Sequence, residues 1–229
     1  MLYFRIIFTT FVPKSNKMKN IHYVILLAIC ALATTQLSAQ TIADAWINIP
    51  AHIAPSVTKS NRLDMIDLYN AGMKACVRTF AGDTAQLTTL GNSYLNLRTS
   101  KASTLQIKQI HTGKKLIYVV ITTVEGPVPN SHIDIYDAQW QPCTKPKRYT
   151  PLAVEDFISL PKKEKNRRKK LLKSITLHTI QYTMSEEDNN ITATPSFLQT
   201  LDEETRKEIE SSFHSQITLQ WKDKKWKRQ

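Results

Sequence analysis

The sequence lacks the features that most directly identify a protein's chemistry. Its 229 residues contain no recognisable catalytic or cofactor-binding motif, and no apolar run approaches the roughly 20 residues that a transmembrane helix requires. The histidines beyond position 40 do not have the spacing of zinc ligands: His52, His111, His132, His178 and His214. We therefore predict no cofactor and no metal, and the sequence favours a protein that binds over one that catalyses.

Acidic residues are absent from the first 39 positions, where the composition is typical of a secretory signal peptide. From position 18 the chain reads MKNIHYVILLAICALATTQLSAQ, in which Lys19 supplies the basic head and small residues follow the apolar run. We predict a signal peptide over residues 18–39, cleaved between Ala39 and Gln40, and hence a periplasmic or secreted protein. Residues 1–17 precede this complete signal and are expected to be a non-translated or unstructured extension.

Cysteine is scarce, and only Cys76 and Cys143 remain after the predicted cleavage. An oxidising compartment permits a disulfide between them. Cys76 also lies on an apolar stripe, where a buried free thiol behaves as a small hydrophobic residue. Both alternatives stay open.

Hydrophobic periodicity divides residues 40–140 into one helix and a sheet. Apolar residues recur every three or four positions in SNRLDMIDLYNAGMKACVRTF, which predicts a helix with Ser60 or Asn61 as its N-cap and an end near Gly82. After it, YLNLRTS, STLQIKQI, LIYVVITTV and HIDIYDAQW predict a four-stranded antiparallel meander. Residues 116–124 should be central because they are apolar on both faces.

A segment rich in proline, residues 141–151, is the expected linker to a second, smaller lobe. Residues 152–229 predict a basic helix, the strands TLHTIQYTM and ITATPS, a helix opened by a capping box of Thr200 and Glu203, and the hairpin ITLQWKDKKWKRQ. The fold class is therefore α+β, with a helix packed on a meander followed by a helix-and-hairpin lobe.

Three stretches carry a resemblance to a known family: NRLDMIDLYNAGMKA, TTVEGPVPNSHIDIYDAQW and the C-terminal helix that leads to ITLQWKDKKWK. They resemble an uncharacterised domain-of-unknown-function family of small secreted proteins from Gram-negative anaerobes of the Bacteroidales type, over roughly residues 42–227. The features that carry the resemblance are Asn61, Arg62, Asp64, Asp67, Gly126, Pro127, Ser131, Tyr136 and Trp140. The resemblance implies export and an α+β fold, and it brings no activity with it.

The excess positive charge of the chain is local. Residues 1–39 carry four basic side chains and no acid, so residues 40–229 hold +8 of the net +12, and the segment 162–173 alone holds +7. This segment, KKEKNRRKKLLK, predicts a solvated helix held to the body by apolar residues at both ends. Its candidate anion-binding residues are Lys162, Lys163, Lys165, Arg167, Arg168, Lys169 and Lys170.

Export decides which partners this charge can meet. Nucleic acid is not expected, because cytosolic DNA and RNA are out of reach and no aromatic residues for base stacking are interleaved with the charges. A membrane-surface helix needs a continuous apolar face, which the middle of the segment lacks. We expect solvation first, and then attachment to an anionic envelope polymer, lipid headgroups or another envelope protein.

Other candidate sites are weaker. The stretch SHIDIYD contains the residue types of a hydrolase triad in Ser131, His132, Asp134 and Asp137, but neighbours on a strand point to opposite faces. Asp64 and Asp67 could form a carboxylate pair on a helix and are better explained by a helix N-terminus. Thr84 follows Asp83 in a short pattern that resembles an O-glycosylation site. An exported, non-catalytic binding module is thus predicted, with an envelope hydrolase as the alternative.

Overall fold

The computed structural model of the protein describes residues 40–229, except the side chain of Glu208. Within them Gln40–Gln229 forms one compact unit. The expected extension over residues 1–17 and the expected signal peptide over residues 18–39 lie outside the described residues.

The described residues form four α-helices, two short 3-10 helices and ten strands. The α-helices are α1 (Ile42–Ile47), α2 (Lys59–Asn70), α3 (Lys165–Ser174) and α4 (Glu203–Glu210), and the 3-10 helices are Val154–Phe157 and Ser196–Thr200. The first six strands are β1 (Cys76–Arg78), β2 (Thr84–Leu90), β3 (Tyr94–Ser100), β4 (Ser103–Thr112), β5 (Lys115–Glu125) and β6 (Pro129–Asp137). The last four are β7 (Gln181–Met184), β8 (Ile191–Thr194), β9 (Ile217–Lys222) and β10 (Lys225–Arg228).

The larger sheet is an antiparallel meander in which strands β1 to β6 pair in chain order. The α+β class and the strands β3 to β6 are confirmed, but the expected number of four strands is wrong. The two additional strands precede the predicted ones: β2 buries Ala85 and Leu87 on alternate positions, and β1 pairs with it. Three residues of β1 are too few to show a period of two in the sequence.

Helix α2 ends earlier than the periodicity predicted. Gly72 adopts a φ of 68°, and Met73 N–H donates to Leu68 C=O at 2.9 Å, which is the closing bond of a Schellman C-cap. The predicted continuation to Gly82 is therefore wrong. The N-cap is also earlier than expected, because Thr58 accepts the N–H of Asn61 at 3.2 Å.

Strand β5 separates two hydrophobic cores. Tyr118 and Val120 face one core, which α1 and α2 cover through Trp46 and Met65. On the opposite face of the sheet, Val119 and its alternate neighbours face a core shared with β7, β8 and β9. The prediction that this segment is apolar on both faces is confirmed, since side chains on a strand alternate between its faces.

A buried arginine joins the two helices of the first core. Arg62 on α2 is only 5% exposed, and its Nη1 donates to the carbonyls of Trp46, at 3.3 Å, and Ile49. Its guanidinium also lies over the Trp46 ring, 5.7 Å from the ring centroid. Burial lowers the pKa of Arg62. These contacts hold the segment after α1 against α2.

The second sheet has four antiparallel strands in the order β10-β9-β8-β7. It replaces the expected hairpin lobe, because β8 pairs with both β7 and β9. The N-cap of α4 is Asp202, whose Oδ1 accepts the N–H of Thr205 at 2.8 Å. The predicted capping box of Thr200 and Glu203 is wrong, since Thr200 ends the preceding 3-10 helix.

The segment 141–151 is bonded to both sheets. Cys143 N–H donates to Ile135 C=O on β6 at 2.7 Å. Further along, Trp226 N–H on β10 donates to Arg148 C=O at 2.7 Å. The expected linker therefore crosses an edge of each sheet.

The outer edge of β7 lies against the face of the larger sheet and bonds to its side chains. The backbone N–H of Ser131 donates to Ile180 C=O at 2.9 Å, and the hydroxyl of Ser131 accepts a hydrogen bond from Tyr182 N–H at 3.0 Å. The buried amide of Gln106 accepts Met184 N–H at 2.9 Å and donates to Tyr182 C=O at 3.4 Å. An edge strand that exposes unpaired backbone groups is thus satisfied inside the core.

Lys108 extends this junction, the contact between the edge of β7 and the face of the larger sheet, beyond the end of β7. Its residue is 2% exposed, and its ammonium donates to Ser185 C=O at 3.0 Å and Glu186 C=O at 2.6 Å. Burial lowers the pKa of Lys108. A buried lysine on the inner face is tolerated here because backbone carbonyls accept hydrogen bonds from its ammonium group.

The junction makes a prediction about Gln106. Gln106→Met keeps the side-chain volume but leaves Met184 N–H and Tyr182 C=O without their partners. We expect the free energy of unfolding to fall by about 3 kcal/mol, since each buried unpaired group costs about 1–3 kcal/mol. Urea denaturation followed by circular dichroism measures this.

The matched control is Gln139→Met, at an exposed glutamine. It should change the free energy of unfolding by less than about 0.5 kcal/mol. Equal effects of the two substitutions would contradict the role given to Gln106.

Candidate functional site

The exposed face of α3 gathers most of the basic segment. Lys165, Lys169 and Lys173 follow one another at four-residue spacing and are all exposed, as is Lys170. The helix begins three residues later than the first lysine of the predicted segment, because residues 161–163 form a turn. Ten residues of helix are about 15 Å long, so this row of ammonium groups extends over a comparable distance.

The opposite face of α3 attaches the helix to the core. Leu171 is buried and Leu172 packs beside it, with Ile175 buried just beyond the C-terminus. On the N-terminal side, Arg168 is half-buried and its Nη1 donates to Leu160 C=O at 2.9 Å. Arg168 is therefore a packing residue, unlike the other candidate anion-binding residues.

Most charges of α3 oppose the stability of the helix, although Lys173 in the last turn is favourably placed. Its first turn contains no acid and begins with Lys165, although the N-terminus of a helix carries partial positive charge. Like charges at four-residue spacing also repel, at roughly 0.2–0.5 kcal/mol for each pair. One compensating contact is the ion pair between Arg167 and Glu164, 3.4 Å apart and half-exposed. Packing, and not electrostatics, keeps this segment helical.

A second group of cations was not predicted from the sequence. The hairpin of β9 and β10 exposes Lys222, Lys224 and Lys225, and the ammonium of Lys224 lies 3.7 Å from the place of a Cβ on Gly113, in the turn between β4 and β5. Arg148, 9% exposed, supports the hairpin by donating to Lys224 C=O at 2.9 Å. The stretch KDKK predicted only a turn. The sequence does not show that this turn lies beside the turn between β4 and β5.

The residue types of a hydrolase triad are separated by the fold. Ser131 bonds to Thr123 Oγ1 at 2.8 Å within the junction with β7. His132 lies on the other face of β6, with its side chain 73% exposed and its Nε2 3.1 Å from Asp134 Oδ1. Asp137 accepts the N–H groups of the following turn. The prediction that Ser131 and His132 point to opposite faces of the strand is confirmed.

The two cysteines are free and half-buried, so the disulfide left open by the sequence is not formed. Burial, followed by the charge of Asp137, raises the pKa of Cys143. Cys76 belongs to β1 and not to the helical stripe that the sequence predicted. It lines a shallow groove of ≈ 520 Å³ between α2 and β1, together with Asp64, Asp67, Leu68, Ala71 and Val77.

Asp83 organises the turn that precedes Thr84. Its carboxylate accepts Thr84 N–H at 2.7 Å and Lys101 N–H at 3.0 Å, and these backbone bonds lower the pKa of Asp83. Thr84 itself is exposed at the start of β2. Its glycosylation stays a prediction.

The raised tyrosine pKa values belong to buried side chains in the cores and not to one cleft. Burial raises the pKa of Tyr94, Tyr118 and Tyr149 to about 12 in each case. Tyr94 belongs to the core shared with the second sheet, and Tyr118 to the helix-side core. Within residues 40–229, no group of three His, Cys, Asp or Glu side chains is placed to hold a metal ion. None of the described helices is long and apolar enough to cross a membrane.

The comparisons with known proteins identify the family. The family described as "Protein of unknown function (DUF3256)" matches residues 34–226, and the chain belongs to it. Two solved chains match, and one is described as "Structure of a domain of an uncharacterized protein from Porphyromonas gingivalis W83". It is 22% identical with a TM-score of 0.71, over 82% of this chain and 97% of that one, and so shows the fold. No curated protein matches. The expected domain-of-unknown-function family is confirmed.

The geometry at β6 separates the roles of two neighbouring residues. Ser131→Ala leaves Tyr182 N–H and the buried Thr123 hydroxyl without a partner, so we expect a loss of about 2 kcal/mol in the free energy of unfolding. His132→Ala, at an exposed side chain, should cost less than about 0.5 kcal/mol. Urea denaturation of both variants gives the comparison.

The same pair tests the hydrolase alternative. Any hydrolytic activity that the protein has should survive His132→Ala within a few fold. A loss on the order of a thousandfold, the scale of a triad member, would instead make His132 catalytic.

Proposed function

We propose that this DUF3256 protein is an exported binding module that attaches to an anionic partner through α3 and the lysines just before it. The ligating side chains are Lys162, Lys163, Lys165, Arg167, Lys169 and Lys170, with Arg168 in the supporting role described above. The proposal places the protein in the periplasm or outside the cell, where the predicted signal peptide would deliver it.

One observation carries the proposal: the exposed charges of α3 are unfavourable for the helix itself. Lysines at its N-terminus and in a four-residue series cost stability, and Leu171 and Ile175 must compensate by packing. Mixed charges would solvate the same surface at no such cost. A run of one sign therefore favours a function for the positive charge beyond solvation.

The shape of α3 favours attachment without insertion. Its apolar side chains, Leu171 and Leu172, are turned to the core, so no apolar face is left for the acyl region of a membrane. An anionic polymer or a layer of headgroups meets the exposed row through charge alone. The lysines of the β9-β10 hairpin offer a second contact of the same kind.

Binding is preferred to hydrolysis as the function of this chain. The serine of the only recognisable triad-like stretch has its hydroxyl engaged by Tyr182 N–H and Thr123. A nucleophile needs that hydroxyl aimed at a base and a substrate.

Export makes a prediction about the N-terminus. We expect protein recovered from the periplasm or culture medium to begin at Gln40 or within two residues of it, because the signal sequence is cleaved after small residues. N-terminal sequencing measures this. A secreted chain that retains Cys30 would contradict the predicted cleavage.

The anion site makes the central prediction. The triple variant Lys165→Gln, Lys169→Gln and Lys170→Gln should bind polyglutamate and phosphatidylglycerol vesicles at least about tenfold more weakly than wild type, since each lysine near an anionic surface contributes on the order of 1 kcal/mol. Wild-type binding should also weaken as salt screens exposed charges. Fluorescence anisotropy and vesicle co-sedimentation separate the polymer from the headgroup source.

Two controls define the result. The variant Lys74→Gln, Lys101→Gln and Lys207→Gln removes the same charge elsewhere on the surface and should bind as wild type does. The α3 variant should unfold within about 0.5 kcal/mol of wild type, whereas Arg168→Gln should cost about 1 kcal/mol through the lost bond to Leu160. Equal binding losses in both triple variants would reject a site on α3.

A further inference from the structure

Arg148 holds a guanidinium group that has no carboxylate partner. The residue is only 9% exposed, and its Nη1 donates to Lys224 C=O at 2.9 Å. Its Nε is buried and has no hydrogen-bond partner among the described residues. None of the ion pairs within this part of the chain involves Arg148. Charges that a protein buries are normally paired, so this guanidinium lacks the anion that such a position favours.

Two lysines approach Arg148 from different turns. Lys224 lies at the tip of the β9-β10 hairpin, and its ammonium is 3.7 Å from the place of a Cβ on Gly113, in the turn between β4 and β5. Lys115 begins the strand after that turn. Side chains two apart on a strand share a face, so Lys115 lies on the face of Ile117, which belongs to the core shared with the second sheet. Lys115 is therefore on the side of the larger sheet that faces the hairpin.

The thiol of Cys143 lies close to both Arg148 and Lys115. Burial and the charge of Asp137 raise the pKa of this thiol, whereas the charges of Arg148 and Lys115 act in the opposite direction. A charge has such an effect on a titrating group only from nearby. Arg148, Lys115 and Lys224 thus surround one region, and each belongs to a different segment of the chain.

The acidic residues of this region do not neutralise its cations. Asp223, in the hairpin turn, pairs with Lys227 at 2.5 Å. Asp137 accepts the N–H groups of Gln139 and Gln141, at 2.9 Å each, and forms no ion pair with a described residue. The same segments expose further lysines that pair with no described carboxylate: Lys114, Lys145, Lys147, Lys222 and Lys225. A strong excess of positive charge therefore remains.

The arrangement of the cations favours a phosphate monoester over a carboxylate. Arg148 Nη2 reaches solvent and has no partner among the described residues, and the ammonium groups of Lys115 and Lys224 are also free. A phosphate monoester presents three terminal oxygens to donors from three directions, whereas a carboxylate has two oxygens in one plane. Arginine and lysine both bind phosphate, arginine through its planar fork and lysine as a point charge. A dianion also gains about twice the Coulomb attraction of a monoanion.

We infer that Arg148, Lys115 and Lys224 form a binding site for a phosphate monoester, where the β9-β10 hairpin meets the turn between β4 and β5 and the segment 141–151. Arg148 Nη2 donates to one phosphate oxygen, and the two ammonium groups meet the others. A phosphorylated lipid headgroup and a soluble phosphomonoester both carry this chemistry. The site shares no residue with the surface proposed on α3 and does not depend on binding there.

The test compares methyl phosphate with dimethyl phosphate on the ¹⁵N-labelled protein. At about pH 8, above the second pKa of about 6, a phosphate monoester is a dianion. Methyl phosphate should shift the Arg148 Nε–H resonance and the amide resonances of Gly113 and Lys224 until they saturate. Dimethyl phosphate has one charge and two terminal oxygens, so it should bind at least about tenfold more weakly through the loss of a charge-assisted hydrogen bond.

Two pairs of substitutions locate the site. Lys115→Gln with Lys224→Gln removes two of the three cations at exposed positions. This variant should bind methyl phosphate at least about tenfold more weakly and keep the circular dichroism spectrum of wild type. The control Lys74→Gln with Lys101→Gln removes the same charge at other exposed positions and should bind as wild type does.

Vesicles separate the two sources of the phosphate. Phosphatidic acid carries a phosphate monoester and phosphatidylglycerol a diester. Co-sedimentation with each uses the variant Lys165→Gln, Lys169→Gln and Lys170→Gln, in which the surface proposed on α3 is removed. Preferential binding to phosphatidic acid assigns a lipid headgroup, and binding of methyl phosphate without binding to these vesicles assigns a soluble phosphomonoester. Both results support the site.

Four outcomes would overturn the inference. They are the absence of a saturable shift of Arg148 Nε–H with methyl phosphate, equal binding of methyl and dimethyl phosphate, and equal losses in the two lysine pairs. The fourth is displacement of methyl phosphate by acetate at equal concentration, which would make the site a general anion site and the phosphate assignment wrong.

Discussion

The junction between the edge of β7 and the face of the larger sheet is the contact on which the rest of the structure depends. A sheet edge has to satisfy alternate backbone groups, and here Ser131 and Gln106 do so from inside the core. Lys108 extends the same pattern to the chain beyond β7. Because these bonds are made by side chains of β4 and β6, the second sheet cannot be displaced without leaving buried polar groups unpaired on both sides.

This constraint also decides which surfaces remain for binding. The segment 141–151 crosses β6 and β10, and Ser131 is occupied within the junction. The positive charge is concentrated on α3 and the β9-β10 hairpin, whereas the groove beside β1 carries Asp64 and Asp67. The junction thus leaves both concentrations of positive charge exposed to solvent.

The elements that could be predicted are those whose apolar or charged residues follow a clear pattern along the chain. Strands β3 to β6 alternate or are apolar throughout, and α3 is marked by its charge and by apolar ends. Prediction failed where tertiary contacts override a local pattern: the stripe ending at Phe80 continues a helical spacing by chance, and Gly72 interrupts it. The burial of Gln106 and Lys108 was not predicted, since nothing local in STLQIKQI shows that a second sheet covers their face.

Helix α3 can carry many positive charges because the contacts that hold it to the core are separate from the polar junction. Leu171 and Ile175 bind the helix to the core at its C-terminal end, so repulsion among the exposed lysines is opposed by packing that does not involve them. The polar junction, in contrast, tolerates few changes because the loss of one side chain leaves buried groups without partners. Charge on α3 can therefore vary while the sheets stay fixed, because substitutions at its exposed positions do not touch the junction.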